Sequence, residues 1–271
     1  MKKTIDSDRV RYFLGDIRDK ERLERAFHGV DVVVHCAALK QVDTLEYNPI
    51  EAIKTNIMGT QNVINCAIDQ GVGKVMMLST DKAVNPVNLY GASKLCAEKL
   101  MIASNAYSKK EYRYIIDQDT IDPGFNPIHK FQELPNIKKP LFSVCRYGNV
   151  MNSRGSVLEL WKEQDVLTIT DYRMTRFWIT IEDAVKFVLS RIDSMRGSEI
   201  FIPKMDKGKV VHMATSLYPD KKIREIGIRD GEKLHEVLIS EDESRNCHEY
   251  DDYFEINKKF DNKETFVYTS N

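Results

Sequence analysis

The chain has 271 residues, of which 42% are hydrophobic and 30% charged, and its formal net charge is −1 at pH 7. That length allows a large core in one or two lobes, while the near-neutral charge offers no bulk attraction to nucleic acid or to an anionic membrane. No apolar run approaches the ~20 residues that a membrane-spanning helix needs, and residues 1–8 lack the apolar core of a signal peptide. We therefore expect a cytoplasmic protein without a nucleic-acid or membrane partner.

The spacing of cysteine and histidine predicts no metal site. The five cysteines are scattered without a Cys-x-x-Cys pair, and none of the six histidines joins a ligand cluster. Four cysteines fall within apolar strand or helix patterns, which indicates small core residues kept reduced: Cys36, Cys66, Cys96 and Cys145.

Predicted strands and helices alternate along the first half of the chain. The predicted order is strand 10–16, helix 19–27, strand 30–38, helix 48–70, strand 75–78, helix 90–107 and strand 141–147. The apolar run at 30–38, VDVVVHCAA, is typical of a strand buried on both faces of a parallel sheet. This alternation predicts an α/β fold, a Rossmann-like doubly wound parallel sheet with right-handed crossovers.

The rest of the chain is predicted to form a surface insertion and a smaller lobe. Residues 109–140 combine prolines with mixed charges and show no period, so a small hairpin and disorder both stay open. We expect an N-terminally truncated dinucleotide-binding domain over 1–147, which contains this insertion, and a partly interleaved α+β substrate lobe over 148–271. Within that lobe we predict a helix at 180–195, strands at 199–203 and 222–227, and a helix opening at 230–232.

Residues 79–94, STDKAVNPVNLYGASK, place an acid, a base and a Tyr-x-x-x-Lys pair after a predicted strand. The carboxyl ends of strands are where open α/β sheets carry their chemistry. Tyr90 and Lys94 are spaced i and i+4, so a helix projects both from one face. The Lys94 ammonium is then expected to lower the pKa of the Tyr90 phenol and make it a usable base. In this context the pattern resembles that of a short-chain dehydrogenase/reductase.

One part of a dinucleotide site is not found in the sequence. Such a sheet normally opens with a strand, a glycine-rich turn and a helix whose N-terminus holds the pyrophosphate. Neither G-x-G-x-x-G nor G-x-x-G-x-x-G occurs near the start, and the first predicted strand corresponds to the third strand of that order. We therefore expect either a fragment or shortened product, or a cofactor site that something else completes.

Longer segments resemble the inverting UDP-N-acetylglucosamine 4,6-dehydratases, extended short-chain dehydrogenases/reductases of pseudaminic acid and surface-polysaccharide biosynthesis. The matching stretches are VVVHCAALKQV, NPIEAIKTNIMGTQNVI, LSTDKAVNPVNLYGASKLCAEKL, RYGNV, SRGSV, ITDYRMTRFWIT and IGIRDGEKLHEVLI. The Ser-Thr-Asp-Lys order is the most specific feature, because TDP-glucose-type dehydratases carry Asp-Glu there and ordinary epimerases carry no such pair. The insertion at 109–140 and a short segment at 157–170 depart from the family pattern.

The resemblance implies an internal oxidation, elimination and reduction of a sugar. Tyr90, assisted by Lys94, takes the proton of the hydroxyl at carbon 4 while the cofactor accepts hydride. Lys82 is the implied base for the hydrogen on carbon 5, and Asp81 is the implied acid for the hydroxyl leaving carbon 6. Thr80 is implied to orient the ketone oxygen. Hydride then returns to carbon 6, and protonation of the opposite face inverts carbon 5.

The resemblance also implies two sets of ligand contacts. The expected cofactor is NADP, with NAD as the alternative, and its implied contacts are Asp16, Ile17, Ala37, Ala38, Lys40, Asn56, Ile57, Ser79, Tyr90, Lys94, Val150 and Arg154. The expected substrate is a UDP-sugar, and its implied contacts are Lys40, Asn149, Val157, Thr170, Arg176, Arg229 and Glu232.

Structural interpretations stand beside the functional ones. Asp81 and Lys82 alone fit a solvated ion pair, Thr80 fits a turn cap, and Asn56 fits a buried amide. Two functions stay open: an active dehydratase, alone or completed by a partner, and a non-catalytic remnant that binds a UDP-sugar or a protein. A 4-epimerase is disfavoured by Asp81 and Lys82.

A homo-oligomer is expected as well. The predicted helix at 90–107 carries an apolar face that could pack against its twin in a second copy, formed by Leu95, Leu100 and Met101.

Overall fold

A mixed six-stranded sheet lies at the centre of the computed structural model, which describes residues 7–107, 112–121, 127–133, 139–153 and 155–271. The strands are β1 Val32–His35, β2 Lys74–Thr80, β3 Tyr112–Ile121, β4 Pro127–Glu133, β5 Leu141–Tyr147, β6 Asn149–Val150, β7 Val166–Ile169, β8 Thr175–Ile179, β9 Ile200–Pro203, β10 Asp206–Lys209, β11 Lys222–Glu225, β12 Val237–Ile239, β13 Cys247–Glu249, β14 Tyr253–Ile256 and β15 Tyr268–Thr269. The helices are α1 Lys20–Phe27, α2 Val42–Tyr47, α3 Pro49–Ala52, α4 Gly59–Asp69, α5 Leu89–Tyr107, α6 Val157–Glu163, α7 Ile181–Ser194, α8 Val210–Leu217 and α9 Glu241–Ser244.

The central sheet has the strand order β1-β2-β5-β9-β14-β13. Its first four strands are parallel, with Val34 opposite Met76 and Thr80 opposite Tyr147, whereas β14 and β13 run antiparallel to their neighbours. The carboxyl ends of β1, β2 and β5 therefore meet at one edge, where α/β sheets carry their sites. The predicted Rossmann-like α/β fold is confirmed, and the antiparallel strands extend it at the far edge.

Both faces of the sheet are covered by helices. The helices α4 and α5 contribute to the largest buried cluster, which includes Val63, Ile64, Met77, Ala97, Met101 and Phe142. The opposite cluster involves α7 and includes Met76, Cys145, Phe187, Val188 and Phe201. A third cluster lies in the C-terminal half and includes Leu158, Trp161, Leu167, Ile169, Trp178 and Val210. The division into a dinucleotide-binding domain over 1–147 and a substrate lobe over 148–271 stays a prediction.

Among the described residues, three small sheets and a hairpin complete the architecture. β6 and β10 flank β8, while β7 pairs with β11 and β12 pairs with β15. Within the insertion at 109–140, β3 and β4 form an antiparallel pair with Tyr114 opposite Phe131. Of the two alternatives for this insertion, the described part forms the hairpin; its remaining residues, apart from 139–140, lie outside the described ranges.

The predicted strand at 10–16 is wrong. No strand among the described residues pairs with this segment, and Leu14 is 81% exposed. Phe13 instead lies under Arg22, whose guanidinium carbon is 3.6 Å from the ring centroid. Residues with a high strand propensity form no strand without a neighbour to bond their N–H and C=O groups.

The predicted strand at 30–38 is shorter and less buried than expected. It forms only β1, which is the edge strand of the described sheet. Val32 and Val34 are 42% and 40% exposed, so burial on both faces is wrong. Cys36 and Cys96 are likewise exposed, which contradicts their assignment to the core.

The predicted helix at 48–70 forms as α3 and α4, joined by a π-helical segment Ile53–Met58. The helix predicted to open at 230–232 does not form. Gly231 there has a φ of 77°, and the chain continues extended into β12 because it pairs with β15. Met101 of the predicted oligomer face is fully buried within its own chain, so it cannot contact a second copy.

Candidate active site

The carboxyl end of β2 turns sharply at Thr80. Thr80 is still extended and caps a 3₁₀ turn, Asp81–Ala83, by accepting a hydrogen bond from the Lys82 amide. Its hydroxyl donates to Asp81 Oδ1 at 3.0 Å. The cap interpretation of Thr80 is therefore correct, and the cap also fixes the Asp81 carboxylate at the sheet edge.

Asp81 and Lys82 form a largely buried pair, in which the Lys82 side chain is 23% exposed. Lys82 Nζ donates to Asp81 Oδ1 at 3.0 Å, and the Asp81 side chain has no exposed surface. Asp81 Oδ2 is buried without a hydrogen-bond partner among the described residues. Because an unpaired buried carboxylate oxygen is costly, this atom is available to accept a hydrogen bond from a ligand group.

A second carboxylate faces the same lysine. Glu236 Oε1 is 3.6 Å from Lys82 Nζ, and the Glu236 side chain is 3% exposed. Burial alone would lower the pKa of Lys82, but the Asp81 and Glu236 carboxylates outweigh burial and raise it. The geometry therefore holds Lys82 as an ammonium ion.

Tyr90 enters the site from the first turn of α5. The turn is stabilised by Asn88, whose Oδ1 accepts a hydrogen bond from the Gly91 amide at 2.8 Å. Burial raises the pKa of the Tyr90 phenol, and the charge of Lys82 and a hydrogen bond with Thr80 oppose that rise. Tyr90, Thr80 and the Asp81–Lys82 pair thus lie together, as the motif predicts.

Lys94 does not act on Tyr90 as expected. Its Nζ donates to the Leu78 carbonyl at 2.7 Å, and it is not among the groups that shift the pKa of Tyr90. The expectation that Lys94 lowers the pKa of Tyr90 is wrong in this structure, because burial dominates at Tyr90 and raises it. Burial lowers the pKa of Lys94 itself to about 8.

The loop after β1 carries several of the predicted cofactor contacts. Asn56, from the π-helical segment, accepts a hydrogen bond from the Leu39 amide at 2.8 Å and donates to the Leu39 carbonyl at 2.9 Å and to Ser93 Oγ at 2.9 Å. Asn56 is therefore the buried amide of the structural interpretation, and it fixes the loop that contains Ala37, Ala38 and Lys40. Half-buried Ile57 follows it.

Other predicted cofactor contacts are scattered. Ser79 Oγ, on β2, is buried without a hydrogen-bond partner in the described part of the chain. Asp16 is bound to Arg18 at 2.7 Å, and the Ile17 carbonyl accepts a hydrogen bond from Asn62 at 3.0 Å. Arg154 lies outside the described residues.

Three of the predicted substrate contacts lie near the catalytic cluster or the loop after β1. Asn149 Oδ1, next to half-buried Val150, accepts from Lys82 Nζ at 3.4 Å, and Arg176 Nε is 3.9 Å from Glu236 Oε1, so both belong to the catalytic cluster. Lys40 donates to Ser153 Oγ at 3.4 Å.

The remaining predicted substrate contacts lie in the C-terminal half of the chain. Val157 begins α6, and Thr170 donates to Met174 Sδ at 3.1 Å. Arg229 is exposed and pairs with Asp43 at 3.6 Å, while its amide donates to Glu232 Oε2 at 3.3 Å. Within the described ranges, no hydrogen bond or ion pair joins these four residues to the Asp81–Lys82 pair.

Glu236 and Lys233 are the site residues that sequence reasoning missed. Lys233 Nζ is 3.7 Å from Glu236 Oε2 and donates to the Val84 carbonyl at 2.6 Å. The sequence pattern predicts a helix opening at 230–232 and indicates no role for Glu236 or Lys233. The one available signal was a lone glutamate directly before the apolar run Val237-Leu238-Ile239.

In the part of the chain that the structure describes, no group of three or more His, Cys, Asp or Glu side chains is arranged to hold a metal ion. Among the described helices, none has both the length and the apolar character that crossing a bilayer requires.

Two relatives match nearly the whole chain. The inverting UDP-N-acetylglucosamine 4,6-dehydratase of Campylobacter jejuni (serotype O:23/36) is 47% identical over 261 residues, which are 94% of this chain and 70% of that protein. The UDP-glucose 4-epimerase of Rickettsia canadensis is 37% identical over 264 residues, 94% of this chain and 70% of that protein.

Solved structures give the same picture of the fold. The X-ray structure of Pen from Bacillus thuringiensis superposes with a TM-score of 0.80 at 35% identity, over 96% of this chain and 77% of that one. The dTDP-glucose 4,6-dehydratase DesIV from Streptomyces venezuelae, a double mutant with NAD bound, has a TM-score of 0.66 at 22% identity, over 84% and 70% of the chains.

A family model described as "Polysaccharide biosynthesis protein" matches residues 1–258. Together with the sheet order and the two relatives, this match defines the family. The chain belongs to the polysaccharide biosynthesis protein family and has the fold of the extended short-chain dehydrogenases/reductases.

Proposed function

We propose that the chain is a sugar-nucleotide dehydratase, which converts UDP-N-acetylglucosamine to the 4-keto-6-deoxy sugar with inversion at carbon 5. The observation that carries the proposal is the buried pair of Lys82 Nζ and Asp81 Oδ1, 3.0 Å apart beside Tyr90. Burying two charges costs free energy that an exposed pair does not require, so stability alone is a weak reason for this arrangement. The 47% identity to a dehydratase of this type supports the same reaction.

Transfer of one proton within the pair creates both catalytic forms. In the ion pair Lys82 is an ammonium and Asp81 a carboxylate, and neither can act as the proposed base or acid. Movement of a proton from Lys82 Nζ to Asp81 Oδ1 gives a neutral amine and a carboxylic acid. The 3.0 Å separation is a direct hydrogen bond, so this transfer needs no intervening water.

The proton transfers then follow in order. Tyr90, ionised to its phenolate, takes the proton of the hydroxyl at carbon 4 as carbon 4 is oxidised, and the resulting ketone acidifies the hydrogen on carbon 5. Neutral Lys82 removes that hydrogen as a proton while Asp81 protonates the hydroxyl on carbon 6, which leaves as water. Elimination ends with Lys82 as ammonium and Asp81 as carboxylate, the ion pair of the structure. A proton delivered to the opposite face of carbon 5 inverts it and balances the proton that Tyr90 took.

The residues around the site fit the nicotinamide half of a dinucleotide. The unpartnered, buried Ser79 hydroxyl and the loop that Asn56 fixes would hold this half, together with Val150. A bound nicotinamide dinucleotide supplies hydride acceptance from carbon 4 and its return to carbon 6. We propose NADP, with NAD as the alternative that the NAD-bound DesIV structure supports. The sequence offers no glycine-rich turn for the pyrophosphate, so no residue is assigned to it.

UDP-glucose 4-epimerase activity is the second candidate, supported by the Rickettsia relative at 37% identity. Proton magnetic resonance of the product distinguishes the candidates after incubation with UDP-N-acetylglucosamine and NADP or NAD. A dehydratase forms a methyl group at carbon 6 and a ketone at carbon 4, whereas an epimerase keeps the carbon 6 hydroxyl. A protein that binds both ligands and forms no product is the non-catalytic remnant. The expected homo-oligomer stays a prediction that light scattering tests.

A further inference from the structure

We propose that Glu236 is a positioning residue for Lys82, which helps to hold the Lys82 amine beside Asp81 and Asn149. This role rests on the proposed dehydratase function. Glu236 Oε1 lies 3.6 Å from Lys82 Nζ, closer than from the Arg176 guanidinium nitrogen at 3.9 Å. The Glu236 residue is 2% exposed, so solvent screens these contacts little.

The backbone of Glu236 is fixed by the C-terminal segment. Its amide donates to Ser270 Oγ at 2.9 Å, and its carbonyl accepts from the Ser270 amide at 2.9 Å. Thr269 Oγ1 donates to the same carbonyl at 3.3 Å. Lys82 is therefore held between two parts of the chain, the turn after β2 and the segment that leads into β12.

The acceptors around Lys82 match what an ammonium ion can donate. Lys82 Nζ donates hydrogen bonds to Asp81 Oδ1 at 3.0 Å and to Asn149 Oδ1 at 3.4 Å, and Glu236 Oε1 lies 3.6 Å from it as an ion-pair partner. Without the Glu236 carboxylate, only Asp81 Oδ1 and Asn149 Oδ1 remain to hold the Lys82 amine in place.

The charged groups around Lys82 allow the role of Glu236 to be measured through the protonation of Lys82. Five groups from four segments of the chain surround it. They are the carboxylates of Asp81 and Glu236, the cations of Arg176 and Lys233, and the phenol of Tyr90. Among them Asp81 and Glu236 raise the pKa of Lys82, whereas Arg176 lowers it. Neutralising Glu236 should therefore increase the fraction of Lys82 that is a neutral amine at a given pH.

The test measures the carbamoylation of Lys82 by cyanate, followed by peptide mass spectrometry between about pH 7 and 10. The variants are E236Q, E236D and E255Q. Glu255 is the matched control, because it is 5% exposed and its Oε1 is 2.7 Å from Lys259 Nζ. It lies on β14, which is separated from β2 by β5 and β9 in the central sheet. Circular dichroism and denaturation confirm that each variant is folded.

We expect E236Q to speed carbamoylation of Lys82 by about tenfold, which is one unit of pKa, and E236D to give an intermediate rate. E255Q should leave the rate unchanged. If E236Q and E236D both stay within about twofold of the wild type, Glu236 does not control Lys82 and the inference is wrong. E236D keeps the test decisive if E236Q does not fold. Because the readout needs neither cofactor nor turnover, it stands even if the dehydratase activity is absent.

Discussion

A β-carbon on residue 91 would collide with the backbone carbonyl oxygen of Lys82, so only glycine fits at Gly91. The helix that carries Tyr90 therefore rests directly against the turn that carries Lys82. Because the nearest atom is a backbone oxygen, no flexible side chain can move to make room for a larger residue at position 91. The distance between the proposed base for carbon 5 and the proposed base for the carbon 4 hydroxyl depends on this contact.

The substitution G91A tests that contact. We expect it to lower the free energy of unfolding by about 1–3 kcal/mol through overpacking, and to lower kcat because Tyr90 moves away from Lys82. The matched control is G208A, since a β-carbon on Gly208 would meet no atom within 4 Å. Urea denaturation and steady-state kinetics should show G208A close to the wild type. Equal turnover in G91A and the wild type would contradict the role of the contact.

The substitution D81N tests the proton transfer within the pair. Asparagine keeps the shape of Asp81 but cannot receive the Lys82 proton or give one to the carbon 6 hydroxyl. We expect kcat to fall by about 10²–10⁴-fold with little change in KM. The control is E199Q, because Glu199 is also buried and accepts from Ser143 Oγ at 2.6 Å, away from the site. A D81N variant with wild-type kcat would remove Asp81 from the mechanism.

Stability should depend on His35 as the pH falls. Burial lowers the pKa of His35 to about 3, and its Nε2 is 3.0 Å from Thr60 Oγ1. The unfolded chain takes up a proton below its ordinary pKa of 6.5, whereas the folded chain does not, so the free energy of unfolding falls as the pH drops from 6.5 toward 3. We expect His35 to account for a loss of about 1.4 kcal/mol between about pH 7.5 and 5.5.

The variant H35Q should lose this component of the pH dependence. Exposed His28 provides the control, and H28Q should keep the wild-type slope. Denaturation curves at each pH measure both. An H35Q variant with the wild-type slope would mean that His35 takes up its proton in the folded state.

Arg146 is the buried charge on which the position of α5 depends. Its guanidinium donates to Glu98 of α5 at 3.1 and 2.6 Å, to Glu243 of α9 at 3.0 and 2.8 Å, and to the Leu238 carbonyl at 2.8 Å. The variant R146M leaves these carboxylates without their cation, and we expect it to cost about 3–5 kcal/mol of unfolding free energy.

A matched ion pair whose arginine is exposed shows whether burial of the arginine is the cause. Arg173 is 71% exposed and lies 2.7 Å from Asp171, so R173M should cost no more than about 1 kcal/mol. Similar costs for R146M and R173M in urea denaturation would contradict the importance of burial.

The elements that were predictable from sequence are those set by local patterns. The stretch from Thr80 to Lys94 lies within one strand end, one turn and one helix, so its residue spacing alone brings Thr80, Asp81, Lys82 and Tyr90 together. Glu236 comes from a distant segment, and only pairing with the C-terminal strand brings it to Lys82. No spacing in the sequence encodes that contact.

Two incorrect predictions, the strand at 10–16 and the effect of Lys94 on Tyr90, also result from contacts between distant parts of the chain. The segment at 10–16 has strand-forming residues but no paired neighbour among the described strands, and propensity cannot replace the missing hydrogen bonds. The i, i+4 spacing places Tyr90 and Lys94 on one helix as predicted, but the Lys94 side chain donates a hydrogen bond to the Leu78 carbonyl and does not act on Tyr90. Tertiary partners decided both outcomes.

The most direct measurement follows a deuterium label placed on carbon 4 of UDP-N-acetylglucosamine, with NADP or NAD supplied. The proposed dehydratase should move the label to the methyl group at carbon 6, lose the carbon 6 hydroxyl and take its carbon 5 hydrogen from the solvent. Magnetic resonance of the product reads all three positions. A label that stays on carbon 4 of an epimerised sugar, or the absence of product from folded protein shown to bind both ligands, would contradict the proposed function.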